Sequence, residues 1–224
     1  MREATTPPEP RWHAAVAIVV ALVLYATLPA RIIVGPYWLL PLLIVVILVP
    51  LLIAAPRRAP EDRFLRVASI ANIAILNIFN LCTIGLFFLY ELSQQHRRAF
   101  NGRELLTVAV QIWLTNVVVY ALWFWETDGG GPAARQRLNF EVNPKQADFL
   151  FPQMALAPDL QKKLRWRPSF IDYLFLAFTN ATAFSPTDTF ALSPLAKVLM
   201  MAQALTSLVT IAIVAGRAIN VLGG

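Results

Sequence analysis

A single cysteine, Cys82, excludes a disulfide within the chain and any cysteine-rich metal site. It stands in an apolar run and reads as a small packing residue. The two histidines, His13 and His96, are far apart and lie near segment ends, which leaves no basis for a histidine metal centre. No Ser/His arrangement, paired carboxylates or HExxH stretch is present, so neither an enzyme nor a cofactor is expected. Charge is scarce as well, at 14% of residues. Average soluble domains carry about 25%. Low-complexity tracts and solenoid-length repeats are also missing.

What the chain has is apolar surface, at 58% of its 224 residues. The expected class is an all-α polytopic membrane protein, with the lipid bilayer as first partner. A net charge of +6 could suggest nucleic acid. The basic residues, however, lie in loops between apolar segments, where they set orientation and meet anionic headgroups. A nucleic-acid partner is therefore not expected.

A crossing helix needs about 20 apolar residues. Four segments qualify in the first part of the chain, at 12–30, 33–55, 65–92 and 104–125. The first follows a Pro-rich head and leads directly into the second, so it reads as a span rather than a cleaved signal. Pro29, Arg31, Gly35 and Pro36 make the two a tight hairpin. Pro41 and Pro50 fall within the second, where a membrane helix tolerates a kink. Asn72, Asn77, Asn80 and Thr83 interrupt the third. At 100° per residue they share about 140° of arc, one polar stripe that faces protein or water and not lipid. Hydrogen bonding between helices and the lining of a wet cavity are both open to it. The fourth carries Gln111, Thr115 and Asn116. It ends in Trp123, Phe124 and Trp125, which read as an interfacial aromatic belt, before the glycines at 129–131.

Residues 126–168 form a polar loop. Within it FLFPQMALAP (149–158) is expected on the membrane surface. Trp166, set among Lys162, Lys163, Arg165 and Arg167, reads as an interfacial anchor. Residues 169–224 hold a short apolar segment, Ile171 to Phe178, a turn rich in hydroxyls, and a last long helix at about 195–222. The short segment cannot cross a bilayer unaided, so a re-entrant helix is expected, giving five spans; the alternative is a sixth span. Ser193 and Pro194 carry an N-cap followed by Pro at the first helical position. On the last helix Gln203, Thr206, Ser207 and Thr210 share a face, which suits close helix approach or the lining of a pore.

The order of helix, threonine-rich turn, aspartate, proline and basic helix start over about the last 55 residues resembles the pore module of potassium channels. Against that family's T-T-V-G-Y-G-D stand Thr182, Ala183, Phe184, Ser185, Pro186, Thr187 and Asp188, and Pro194 to Lys197 fall where the inner helix opens. The tail also resembles an uncharacterised family of bacterial integral membrane proteins with a DYLYLAFT…SDT-type segment. The first resemblance implies a homo-oligomer, of four copies in that family, with a small cation as partner; the second implies a bacterial cytoplasmic membrane. The departures are specific. Ser185 and Thr187 replace the glycines that supply unusual backbone angles, and Pro186, with its fixed φ, replaces the aromatic. That argues against a ladder of carbonyls. A ring of hydroxyls with Asp188 is what remains.

Three functions compete: a pore-loop protein moving small cations or water, a non-conducting assembly or accessory subunit, and a small-solute transporter built on the Asn stripe. Asn180-Ala-Thr matches a glycosylation sequon that means nothing at membrane depth. Orientation adds a conflict. Arginines 57, 58, 63 and 66, together with the basic long loop, favour a cytoplasmic position for that end. A potassium-channel-like turn opens on the outer side.

Overall fold

Eight helices carry the described chain: α1 (Trp12–Ala26), α2 (Leu39–Ala54), α3 (Arg63–Leu92), α4 (Gly102–Thr127), α5 (Pro132–Arg135), α6 (Pro158–Leu164), α7 (Phe170–Thr182) and α8 (Pro194–Leu222). The computed structural model describes residues 12–54, 63–92, 100–135, 147–164, 166–182 and 188–222. Three stretches, Arg63–Glu91, Gly102–Gly130 and Pro194–Arg217, are long and apolar enough to cross a membrane. Helices α1 and α2 have 15 and 16 residues. At 1.5 Å per residue each reaches about 23–24 Å. The hairpin between them is a short 3-10 turn, Ala30–Ile32. Because α2 begins at Leu39, Pro41 falls in its first turn and removes no helical hydrogen bond.

The centre of the bundle is α4. Asn101 and Glu104 start it with a reciprocal capping box. Ala14, Ala17 and Ala21 of α1 are buried, and these small side chains let α1 come close to α4. On its other sides α4 meets α3, α7 and α8. Helix α2 packs on α3.

Two ends of the bundle are pinned differently. At the start of α4, Arg31 pairs with Glu104 (3.0 Å) and lies 3.6 Å over the Phe100 ring. Glu91 of α3 and Arg217 of α8 meet there at 3.7 Å. At the finish of α4, the backbone turns through Gly129, Gly130 and Gly131, all with positive φ. A Cβ on Gly131 would stand 3.0 Å from the Glu126 carbonyl, at φ 96°. Gly131→Ala is therefore expected to destabilise the fold by about 1–2 kcal/mol. Denaturation in detergent micelles measures it, and a melting curve unchanged from the parent would refute it.

Helix α7 runs antiparallel to α4. Its start is beside Trp125, which meets Phe170 edge-on, and its far end is beside Trp113, which meets Phe178. Ser169 and Asp172 pin the start, with both the backbone N–H and the hydroxyl of Ser169 donating to Asp172 Oδ2 (2.7 Å each). After α7 the chain comes back to the finish of α4. There β2 (Phe190–Ala191) pairs antiparallel with β1 (Phe149–Leu150), and Leu192 N–H donates to the Asp148 carbonyl. Ser193 caps α8 by accepting from Ala196 N–H (3.1 Å), as the Ser-Pro signal anticipates. So α7 and α8 both leave from the same end of α4.

Several expectations change here. Phe124 and Trp125 are buried core residues and form no interfacial belt. Phe149 and Phe151 are buried too, against Phe124 and Tyr173, so this part of the long loop is pulled into the protein and not laid on a surface. Trp166 packs on Phe151. Cys82, expected in the packing, is on the exposed face of α3. In each case periodicity identified apolar character without identifying the element it meets.

Candidate functional site: a buried polar seam and the end of α4

The polar residues of α3, α4, α7 and α8 converge inside one chain. On α3, Asn72, Asn80 and Thr83 are at most 3% exposed, and Asn77 is half-buried beside them. The stripe anticipated from helical periodicity is therefore real, and it faces protein. On α8, Gln203, Thr206, Ser207 and Thr210 are all buried. Gln203 and Ser207 meet α7 and α4, and all four are enclosed within one copy, so they do not face a pore formed between copies; the helical period groups them without saying which neighbour they meet. The outward face of α8 is Leu195, Val198, Met201, Leu205 and Leu208.

The seam divides into two parts. Next to α7 it is held by a dense set of side-chain hydrogen bonds. Asn116 donates to Ser207 Oγ (2.9 Å) and to the Gln203 carbonyl (3.3 Å). Asn180 donates to Gln203 Oε1 (2.7 Å) and to the Met200 carbonyl (3.0 Å). Gln203 Nε2 donates to the Ala177 carbonyl (2.7 Å). Thr206 and Thr210 return their hydroxyls to the carbonyls of Ala202 and Thr206 on their own helix. Tyr120 of α4 lies between the two parts, beside Asn77 and Thr206.

Along α3 the pairing is incomplete. Asn72 Oδ1 and Nδ2, Asn77 Oδ1, Asn80 Nδ2 and Thr83 Oγ1 have no hydrogen-bond partner among the described residues, nor has Asn116 Oδ1 on α4. An unmatched buried polar group costs about 1–3 kcal/mol. Six left dry would cost roughly 6–18 kcal/mol, as much as the net stability of a typical domain, about 5–15 kcal/mol. No Asp, Glu, Lys or Arg lies in residues 70–90, 105–125 or 198–216, so this depth of the seam is uncharged.

At the finish of α4 the chemistry is ionic. Asp128 is fully buried. Its Oδ1 accepts from the backbone N–H groups of Asp148 (2.7 Å) and Phe149 (3.2 Å), and its Oδ2 accepts from the Tyr173 hydroxyl. Asp148 Oδ2 accepts in turn from Gly129 N–H (3.0 Å). Arg135 donates to the carbonyls of Trp125 (2.6 Å) and Asp128 (2.8 Å) and lies 5.0 Å over the Tyr173 ring. These groups satisfy the last carbonyls of α4 and bind the start of α7 and the β1 segment to it. Glu126, also buried, accepts from Ser69 Oγ of α3 (3.0 Å).

Of the filter-like residues, Ala183, Phe184, Ser185, Pro186 and Thr187 lie outside the described residues. Thr182, the last residue of α7, donates its hydroxyl to the Thr179 carbonyl (2.8 Å), and Asp188 is exposed. Sequence reasoning did not single out Asp128, Arg135, Tyr173 or Glu126. The available signal was an acid pair closing an apolar run just before three glycines. Among the described residues no group of three or more His, Cys, Asp or Glu is placed to hold a metal ion. No protein-family model, curated protein sequence or solved structure matches the chain.

Proposed function

We propose that the chain is an integral membrane protein in which α1 to α4 and α8 cross the bilayer and α7 is a re-entrant half-helix, and that it passes a small solute along the polar seam within each copy. The observation that carries this reading is the path of residues 170–192. The chain leaves one end of α4 as α7, reaches the depth of Trp113, and is back at the same end by β2. Thirteen helical residues reach about 20 Å, less than α1 and α2, and it is the return of the chain to the same end of α4 that sets α7 apart from them. Irregular backbone at such depth is tolerated only where protein buries it or water wets it.

The resemblance to a pore module supports the same order of parts, with α4 as outer helix, α7 as pore helix and α8 as inner helix. The route differs from that family's. Copies arranged about a common axis would turn towards it the apolar outward face of α8, while the amides and hydroxyls sit between α3, α4 and α8 of one chain. A conduit through each copy makes use of those groups. The setting is a bacterial cytoplasmic membrane, with the basic residues of the long loop on its inner side.

A second reading, a non-conducting assembly subunit, is favoured by the hydrogen-bonded cluster of Asn116, Asn180 and Gln203, which ties α4, α7 and α8 together beside the seam.

Reporters fused separately to the two ends are expected on opposite sides of the membrane. Ends on the same side would overturn the count of crossings. Purified protein in liposomes is then expected to speed the passage of a small solute over empty vesicles. A vesicle set with no added permeability, together with a co-purifying partner subunit, would replace conduction by the second reading.

A further inference from the structure

The unmatched atoms along α3 have a composition that selects among solutes. Asn72 Nδ2 and Asn80 Nδ2 are donors. Asn72 Oδ1, Asn77 Oδ1 and Asn116 Oδ1 are acceptors, and Thr83 Oγ1 serves as either. A bare cation would meet the acceptors and leave both amide N–H₂ groups unmet. An anion would do the reverse. No carboxylate or ammonium at this depth offers a counter-charge to either. Only a molecule that both donates and accepts satisfies the whole set.

The spacing agrees. Positions 72, 77, 80 and 83 follow one another along the helix at rises of about 4.5–7.5 Å. One or two bridging molecules of water's size close each gap, since a hydrogen bond is about 2.8 Å long. Another chain cannot supply the missing bonds, because these atoms are enclosed within the bundle of a single copy.

We infer that Asn72, Asn77, Asn80, Thr83 and Asn116 form a ladder for small uncharged molecules that both donate and accept hydrogen bonds, water foremost, and that ions are not its cargo. This rests on the proposed conduit for its role in transport, but the occupancy of the ladder can be tested apart from transport.

The test begins from Cys82→Ala, which removes the one native thiol, on the exposed face of α3. Asn80→Cys and the near-isosteric Thr83→Cys are then made singly in that background, with Ile78→Cys as the control on the outward face. The probe is an uncharged, water-soluble methanethiosulfonate. Since only the thiolate reacts and its formation needs water, both seam cysteines are expected to label ~10-fold or more faster than Ile78→Cys. If folded Asn80→Cys and Thr83→Cys both label no faster than the control, the ladder is dry and the inference falls. Should Asn80→Cys fail to fold, Thr83→Cys decides alone.

Liposomes with the parent protein are then shrunk osmotically and assayed in parallel for urea and potassium passage. Faster water movement, slowed by Asn80→Leu, with potassium leak equal to that of empty vesicles, is the expected result. Potassium passage through the parent protein would overturn the solute class. Labelled cysteines without any added permeability would remove the conduit and leave the ladder standing.

Discussion

Asp128→Ala is expected to destabilise the purified protein by about 3–5 kcal/mol, the cost of breaking a buried ionic network from one side. For a chain of this length that corresponds to a melting temperature lower by roughly 6–20 °C. The reason is the number of groups left behind. Two backbone N–H groups, of Asp148 and Phe149, and the Tyr173 hydroxyl all lose their acceptor in a place that solvent does not reach. Arg135 stays in the same enclosure with less negative charge beside it. Asp128→Asn keeps an oxygen for the two N–H groups and should recover at least half of the loss. An alanine variant melting within about 2 °C of the parent would show that the network contributes little. Tryptophan emission is a convenient monitor, because Trp125 packs on Phe170 at the start of α7.

Gln203→Leu is the next largest expected effect, about 2 kcal/mol for the two side-chain hydrogen bonds it removes at helix contacts. Gln203 joins α7 to α8 from both directions, donating to Ala177 and accepting from Asn180. Leucine fills comparable space but offers neither bond. The loss should be local: amide exchange at residues 177–182 is expected to accelerate by at least ~10-fold, while that of α3 stays as in the parent. Uniform acceleration over all helices would instead mean that the substitution acts on the whole bundle, and α7 would then have no independent attachment at Gln203.

The long helices were legible because each is an apolar run bounded by charge. The expected 65–92, 104–125 and 195–222 differ by at most two residues from α3, α4 and α8. The start of α2 was not, since Gly35, Pro36 and the two aromatics after them continue the apolar run without helical geometry. The Asn stripe was legible for a geometric reason: a helix repeats every 3.6 residues, so a shared face follows from spacing alone. What that face meets does not follow. The same rule grouped Gln203, Thr206, Ser207 and Thr210 correctly, yet the partners of Gln203 and Ser207 sit on α7 and α4, far away in sequence. Least legible was the end of α4. Its contacts depend on three positive φ angles and on a loop that returns 20 residues later. The glycines read as a stop, with nothing in them to announce that Asp148 and Phe149 would be brought back to Asp128.

The order in which partners arrive has a consequence for biosynthesis. Asp128 is made 45 residues before Tyr173, and Asn116 is made 91 residues before Ser207. At a translation rate of ~5–20 residues per second, the Asp128 carboxylate waits about 2–9 s for that hydroxyl. Throughout that interval the central helix carries polar groups that lipid cannot satisfy. Release into the bilayer at once would be unfavourable for it. On the proposed membrane reading, α4 would therefore stay out of lipid until α7 and α8 have been made, although it is synthesised well before them.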